Sequence, residues 1–269
     1  PWLPPAPSEL SATGLPMVLD SSKWAAGDAL HLAAKCGDID SVALLIEHGA
    51  RLEGLDGDGA TALNVACKYE HLSTARALIN AGADINCAWK DTGCTPLLSA
   101  AVSGNLDLVR LLLKHNVLID KPSKDGTTPL MVAAEGNKHV LMRLLLKHGA
   151  NVWHVADTGF QPLHKACIAG CLKSVRLLMG AGAPVDMDSH AGRTPLFMAS
   201  EYGHTKIAKL LLGAGAEINR AAKGQLNGWT PLSIASNFGH SETVRFLADR
   251  GATLDWRDAE GMTAINRAC

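Results

Sequence analysis

The sequence predicts an all-α solenoid of stacked two-helix units, and three observations predict it. A block of about a dozen residues recurs at nearly constant spacing through nine tenths of the chain, and self-similarity with a period of roughly 20–50 residues is the mark of a repeat architecture. Four of the eight blocks open with Gly, a spacer and Thr-Pro, the signals of a tight turn running into a helix start. A leucine-rich run that closes on Gly follows, the signal of a second helix and its end.

Aligned on one position, the block reads GDALHLAAKCGD from residue 27, ATALNVACKYEH from 60, CTPLLSAAVSGN from 94 and TTPLMVAAEGNK from 127. It continues as FQPLHKACIAGC from 160, RTPLFMASEYGH from 193, WTPLSIASNFGH from 229 and MTAINRAC from 262. The anchors Asp28, Thr61, Thr95, Thr128, Gln161, Thr194, Thr230 and Thr263 are separated by 33, 34, 33, 33, 33, 36 and 33 residues. Two residues before the anchor stands Gly in seven units, where a turn needs positive φ. The anchor is the expected N-cap, with Pro behind it as the first helical residue. A small residue six after the anchor (Ala34, Cys67, Ala101, Ala134, Cys167, Ser200, Ser236, Cys269) lets neighbouring helices approach. Gly three further on ends the first helix, with Glu70 and Asn137 as departures, Asn being the milder because it tolerates a left-handed backbone. The segment NRAAKGQLNGWT before Thr230 is three residues longer than its counterparts, so one finger is expected to protrude further.

These residues resemble the ankyrin repeat, with its T-P-L-H-x-A and G-A-D-x-N signatures, over about residues 27–269. The resemblance implies seven repeats plus part of an eighth, paired antiparallel helices with β-turn fingers along one edge, and slight curvature. Residues 1–26 read as a Pro-rich leader and capping segment in which Trp24 either covers the first repeat or is exposed; residues 27–269 read as the repeat domain. The last unit stops after its first helix, leaving Ile265 facing an absent neighbour, and MTAINRAC lacks the polar outer face of a terminal repeat. The expectation is a monomeric array cut from a longer chain.

Composition bounds the chemistry. Of 269 residues, 47% are hydrophobic and 19% charged, the balance of a folded protein with a sizeable core. A formal charge of −1 supplies no field for nucleic acid. No apolar run approaches the length of a membrane span, and no leader for export is evident. Seven cysteines without a C-x-x-C pair favour a reducing compartment, cytoplasm or nucleus. Eight of the eleven histidines fall at positions the repeat itself accounts for; His139, His154 and His190 remain, without ligand spacing. Cys67, Cys167 and Cys269 fill the small core position, and Cys36 and Cys94 fall at surface positions. No catalytic residue, metal ligand or cofactor is expected, and the chain is read as no enzyme.

Aromatic residues are distributed differently. The resemblance implies that partners are bound by the fingers and the concave face of the first helices, chiefly through the residue before the anchor and those seven and eight after it. Phe160 and Trp229 stand just before their anchors, and Tyr69, Tyr202 and Phe238 stand eight after theirs. Trp89, Trp153 and Trp256 map to fingers, where contact with an adjacent finger is the competing role. Arg193, Glu201 and Asp157 occupy comparable free positions and are expected to meet polar groups at the rim. The expected function is non-catalytic binding of a protein or peptide through Tyr69, Trp89, Phe160, Arg193, Glu201, Tyr202, Trp229 and Phe238. The alternative is the substrate-recruiting part of a larger multidomain enzyme.

Overall fold

In the computed structural model, residues 26–267 are described; the expectations for Trp24, the leader and Cys269 lie outside them. Among the described residues there are fifteen α-helices and no strand, in two compact units. The first unit, ending at Val117, holds α1 (Ala26–Cys36), α2 (Ile39–Glu47), α3 (Ala62–Lys68), α4 (Leu72–Asn80), α5 (Pro96–Ser103) and α6 (Leu106–Leu113). The second, from Leu118, holds α7 (Pro129–Glu135), α8 (His139–Lys147), α9 (Pro162–Ile168), α10 (Leu172–Gly180), α11 (Pro195–Glu201), α12 (Thr205–Gly213), α13 (Pro231–Asn237), α14 (Ser241–Asp249) and α15 (Ala264–Arg267).

The helix starts follow from the anchors. Thr61, Thr95, Thr128, Thr194 and Thr230 each accept, through the side-chain oxygen, the N–H of the residue three further on, at 3.1–3.4 Å. That occupies one of the donors a helix start leaves unpaired. Gln161 makes no such bond: both its amide atoms are buried without a partner, while its backbone N–H donates to His164 Nδ1 at 3.2 Å and its carbonyl accepts the Lys165 N–H at 3.3 Å.

Burial runs through each unit as two parallel rows. In the first unit α1, α3 and α5 pack in sequence, with α2, α4 and α6 behind them. In the second, α7, α9, α11, α13 and α15 form one row and α8, α10, α12 and α14 the other. The small residues Ala34, Cys67, Ala101, Ala134, Cys167, Ser200 and Ser236 are buried where the first helices meet. The leucine two after the anchor, from Leu30 to Leu232, is buried in all seven units that carry it. Each such leucine contributes about 2 kcal/mol of burial.

Adjacent fingers are tied by single backbone bonds, Lys90 N–H to Gly59 O at 2.9 Å in the first unit and Lys223 N–H to Ala191 O at 2.8 Å in the second. The three extra residues before Thr230 are taken up by a 3₁₀ turn, Gly224–Leu226, with residues 223–225 exposed.

A second tie explains the loop histidines. His71, His204 and His240 each donate from Nε2 to the carbonyl near the end of the preceding repeat's first helix: Lys35, Ile168 and Glu201, at 2.9, 3.1 and 2.9 Å. Each ring lies over the glycine that ends that helix, so a Cβ on Gly203 would stand 2.6 Å from His240 Nδ1. The two departures follow the same logic. Glu70 (φ 65°) and Asn137 (φ 53°) adopt the left-handed backbone, and the next repeats place Asn105 and Cys171 where the imidazole would be.

Candidate functional site

Within each unit, the ends of the first helices and the fingers carry most of the expected residues. Tyr202 and Phe238 are 48% and 54% exposed, so each presents about half its ring to water. Each stacks on the histidine two residues later, Tyr202 on His204 with centroids 6.2 Å apart and Phe238 on His240 at 6.3 Å. Because α11 and α13 pack directly, the two ring pairs stand on neighbouring repeats of the same unit. Phe160, half-buried, stacks on His164 at 5.5 Å. These rings are therefore held in place by imidazoles that are themselves hydrogen-bonded to the backbone of a neighbouring repeat.

Trp229 corrects one expectation. Rather than standing free, it is only 8% exposed. Arg267, from the following repeat, lies over the indole with its guanidinium carbon 4.3 Å from the ring centroid. That guanidinium is fixed by Asp258 and Glu260, at 2.7 Å each. Arg267 stands four after its own anchor, and in this repeat its long side chain reaches back over the position before the preceding anchor.

Arg193 and Glu201 face each other, Nη1 to Oε2 at 3.8 Å, and both are partly buried. Arg193 Nε and Glu201 Oε2 are buried without a hydrogen-bond partner. Burial raises the Glu201 carboxyl above its ordinary range, with Arg193 opposing. Asp157 is exposed, its backbone N–H donating to Asp125 O. Among the finger tryptophans, Trp153 and Trp256 are exposed, and Trp256 donates from its indole to Gly228 O at 2.8 Å. That bond is a tie between fingers, made in the same way by His154 to Gly126 O at 2.9 Å.

In the first unit Tyr69 is exposed and Trp89 half-buried. Sequence reasoning missed what accompanies them: Lys35 and Lys68, which line a pocket with both rings. The signal was present, since each lysine stands seven after its anchor.

The two fully buried cysteines carry no activated thiol. Burial pushes Cys67 up to about 12 and raises Cys167 further. Cys94, expected at the surface, is half-buried; burial raises its thiol, against a contact with Ser99 Oγ at 3.3 Å. No helix among the described residues is long and apolar enough to cross a membrane.

Comparison with known proteins agrees with the geometry. The family described as "Ankyrin repeats (3 copies)" matches residues 18–88, 86–156 and 142–222, and "Ankyrin repeat" matches 227–259. The tyrosine-protein kinase HTK16 of Hydra vulgaris is 39% identical over 99 residues, 36% of this chain and 13% of that protein. Ankyrin repeat and SOCS box protein 16 of Mus musculus is 38% identical over 94 residues, 32% of this chain and 20% of its own length. The E3 ubiquitin-protein ligase XBAT33 of Arabidopsis thaliana is 36% identical over 92 residues, 34% of this chain and 18% of its own. Each match spans well under half of the relative. Family match, helix pairing and turn chemistry together place this chain in the ankyrin-repeat family, whose repeats are protein-interaction modules.

Proposed function

We propose that the chain is a non-catalytic binding array that holds a peptide or folded domain of a partner protein against its first-helix ends and fingers. The observation that supports this reading is the pair of half-exposed rings Tyr202 and Phe238, each stacked on a backbone-bonded histidine. Rings already immobilised lose little entropy on association, so their contact area is converted efficiently into affinity. Phe160 extends the surface in the second unit, while Tyr69 and Trp89 serve the first. Arg193 and Glu201 contribute less than expected as free charges because they face one another. Trp229 is assigned to stability. A reducing compartment, cytoplasm or nucleus, suits the cysteine count.

The test compares proteins retained by immobilised wild type and by the Tyr202→Ala/Phe238→Ala variant, with Trp229→Ala as the control. Each buried ring at a hot spot is worth about 2 kcal/mol, so the double variant should lose specific partners while keeping its thermal midpoint. Trp229→Ala should instead lose about 3 kcal/mol of stability, from the cavity it leaves. An unchanged set of retained proteins for the double variant overturns the reading.

A second reading is favoured by relatives named as a kinase and a ubiquitin ligase. In it the array recruits substrates for a catalytic domain elsewhere in a longer protein. The same surface serves both readings, and the sequence of the full-length protein separates them.

A further inference from the structure

The pocket of the first unit, between the finger at 55–60 and the ends of α1 and α3, has about 230 Å³ of open space. That is below the roughly 300–1,000 Å³ of sites that enclose drug-sized ligands, and it suits one or two side chains. Its positive end is built by Lys35 and Lys68, both exposed and both in the last turn of their helices. Lys68 Nζ lies 4.6 Å from the Trp89 centroid and 5.8 Å from that of Tyr69; Lys35 Nζ lies 5.5 Å from Tyr69. Neither lysine forms an ion pair among the described residues. Independently, the Trp89 indole N–H is buried and has no acceptor, a condition that leaves a donor's desolvation uncompensated.

The negative end is the finger, with Asp56 and Asp58. Asp56 Oδ1 accepts the backbone N–H groups of Asp58 and Ala60 at 3.0 and 2.8 Å. A helix rising 1.5 Å per residue carries Lys68 about 10 Å from the turn that begins at Thr61, so the two poles are separate. Two carboxylates at one end oppose a dianion and tolerate a single negative charge placed between the lysines.

We propose that this pocket receives an acidic side chain, Asp or Glu, of a partner polypeptide. The carboxylate sits between the ammonium groups of Lys35 and Lys68. Lys68 leaves the indole face to meet it, the ring tilts so that its in-plane N–H donates to a carboxylate oxygen, and the ligand's methylene packs on Tyr69. This deepens the reading above and rests on it, by naming the chemistry that the first unit selects.

The experiment titrates the ¹⁵N-labelled chain with pools of short peptides that are identical except for a fixed central Glu, Gln or phosphoserine. It follows the indole N–H signal of Trp89, assigned with Trp89→Phe. The Glu pool is expected to move that signal at about tenfold lower concentration than the Gln pool, as befits a charge-assisted contact. Lys35→Gln and Lys68→Gln should each abolish that preference, leaving the thermal midpoint in place because both side chains are exposed. Added salt should weaken the Glu pool selectively. Equal response to Glu and Gln, no response at Trp89 to any pool, or stronger binding of the phosphoserine pool each overturns the proposal. The Tyr202→Ala/Phe238→Ala variant should respond to the Glu pool as wild type does. Failure of the second-unit surface and failure of this pocket are therefore read from different signals.

Discussion

A hydroxyl on Cβ is what makes Thr a helix cap, and position 161 shows what its absence leaves behind. Gln161 is buried with neither amide atom paired, at the start of the only Pro-led helix that lacks a threonine cap among the described residues. Gln161→Thr should supply the missing bond to the His164 N–H and remove the stranded amide, stabilising the chain by about 1 kcal/mol in denaturant unfolding. The neighbouring His164 carries a pH dependence. Burial lowers it to about 4, against hydrogen bonds to backbone carbonyls that favour the charged form. Folded His164 is thus neutral at pH values where the unfolded chain, titrating near 6.5, already binds a proton. Its contribution is fully present above 6.5 and is lost as pH falls toward 4, by about 3 kcal/mol in all. Urea midpoints measured between those values should decline in wild type and decline less in His164→Gln. Trp229 teaches the limit of reading single residues. Its place before an anchor was legible, but its burial depends on Arg267, 38 residues on, which only the next repeat's register brings over the ring.

At the scale of the element, the turn, the two helix ends and the small packing residue were all legible, because each is dictated by local backbone chemistry. Glycines at the turns and helix ends adopt positive φ as their spacing implies, and Glu70 and Asn137 do so without being glycine. What the spacing did not reveal is why the substitution is tolerated at those two places. The reason lies one repeat away, in whether an imidazole arrives. Gly203→Ala should therefore be more damaging than strain alone implies. The left-handed backbone costs about 1–2 kcal/mol, and displacing the His240 ring sacrifices its bond to the Glu201 carbonyl, about 1 kcal/mol more. Thermal unfolding should show a loss of about 2–3 kcal/mol for Gly203→Ala. Asn137→Ala, with no ring above it, should show about 1 kcal/mol.

For the whole molecule, the repeat count and the helical class could be read from the sequence because periodicity of this strength has few other physical sources. The candidate surface was legible only in part. Exposure of Tyr69, Tyr202 and Phe238 agrees with their positions. The pairing of Arg193 with Glu201, and the lysines beside Tyr69 and Trp89, required side chains from different repeats to be placed together. The distribution of thiols gives a check on the entire core. Iodoacetamide on the native protein should modify exposed Cys36 and spare Cys67 and Cys167 until the chain is denatured, as read by peptide mass mapping. Early labelling of Cys67 would place the gap between α3 and α5 open to solvent. The imidazole seated over a bare backbone has an evolutionary corollary. Modules of this chain are not interchangeable beads: one whose second helix is entered through a histidine, as at His204 or His240, can be copied only behind a predecessor whose first helix ends in glycine. Behind Glu70 its ring would collide with a side chain. Duplication and reshuffling are thereby restricted to certain orders, and splicing experiments that join modules in forbidden order should yield chains that fail at the junction while folding on either side of it.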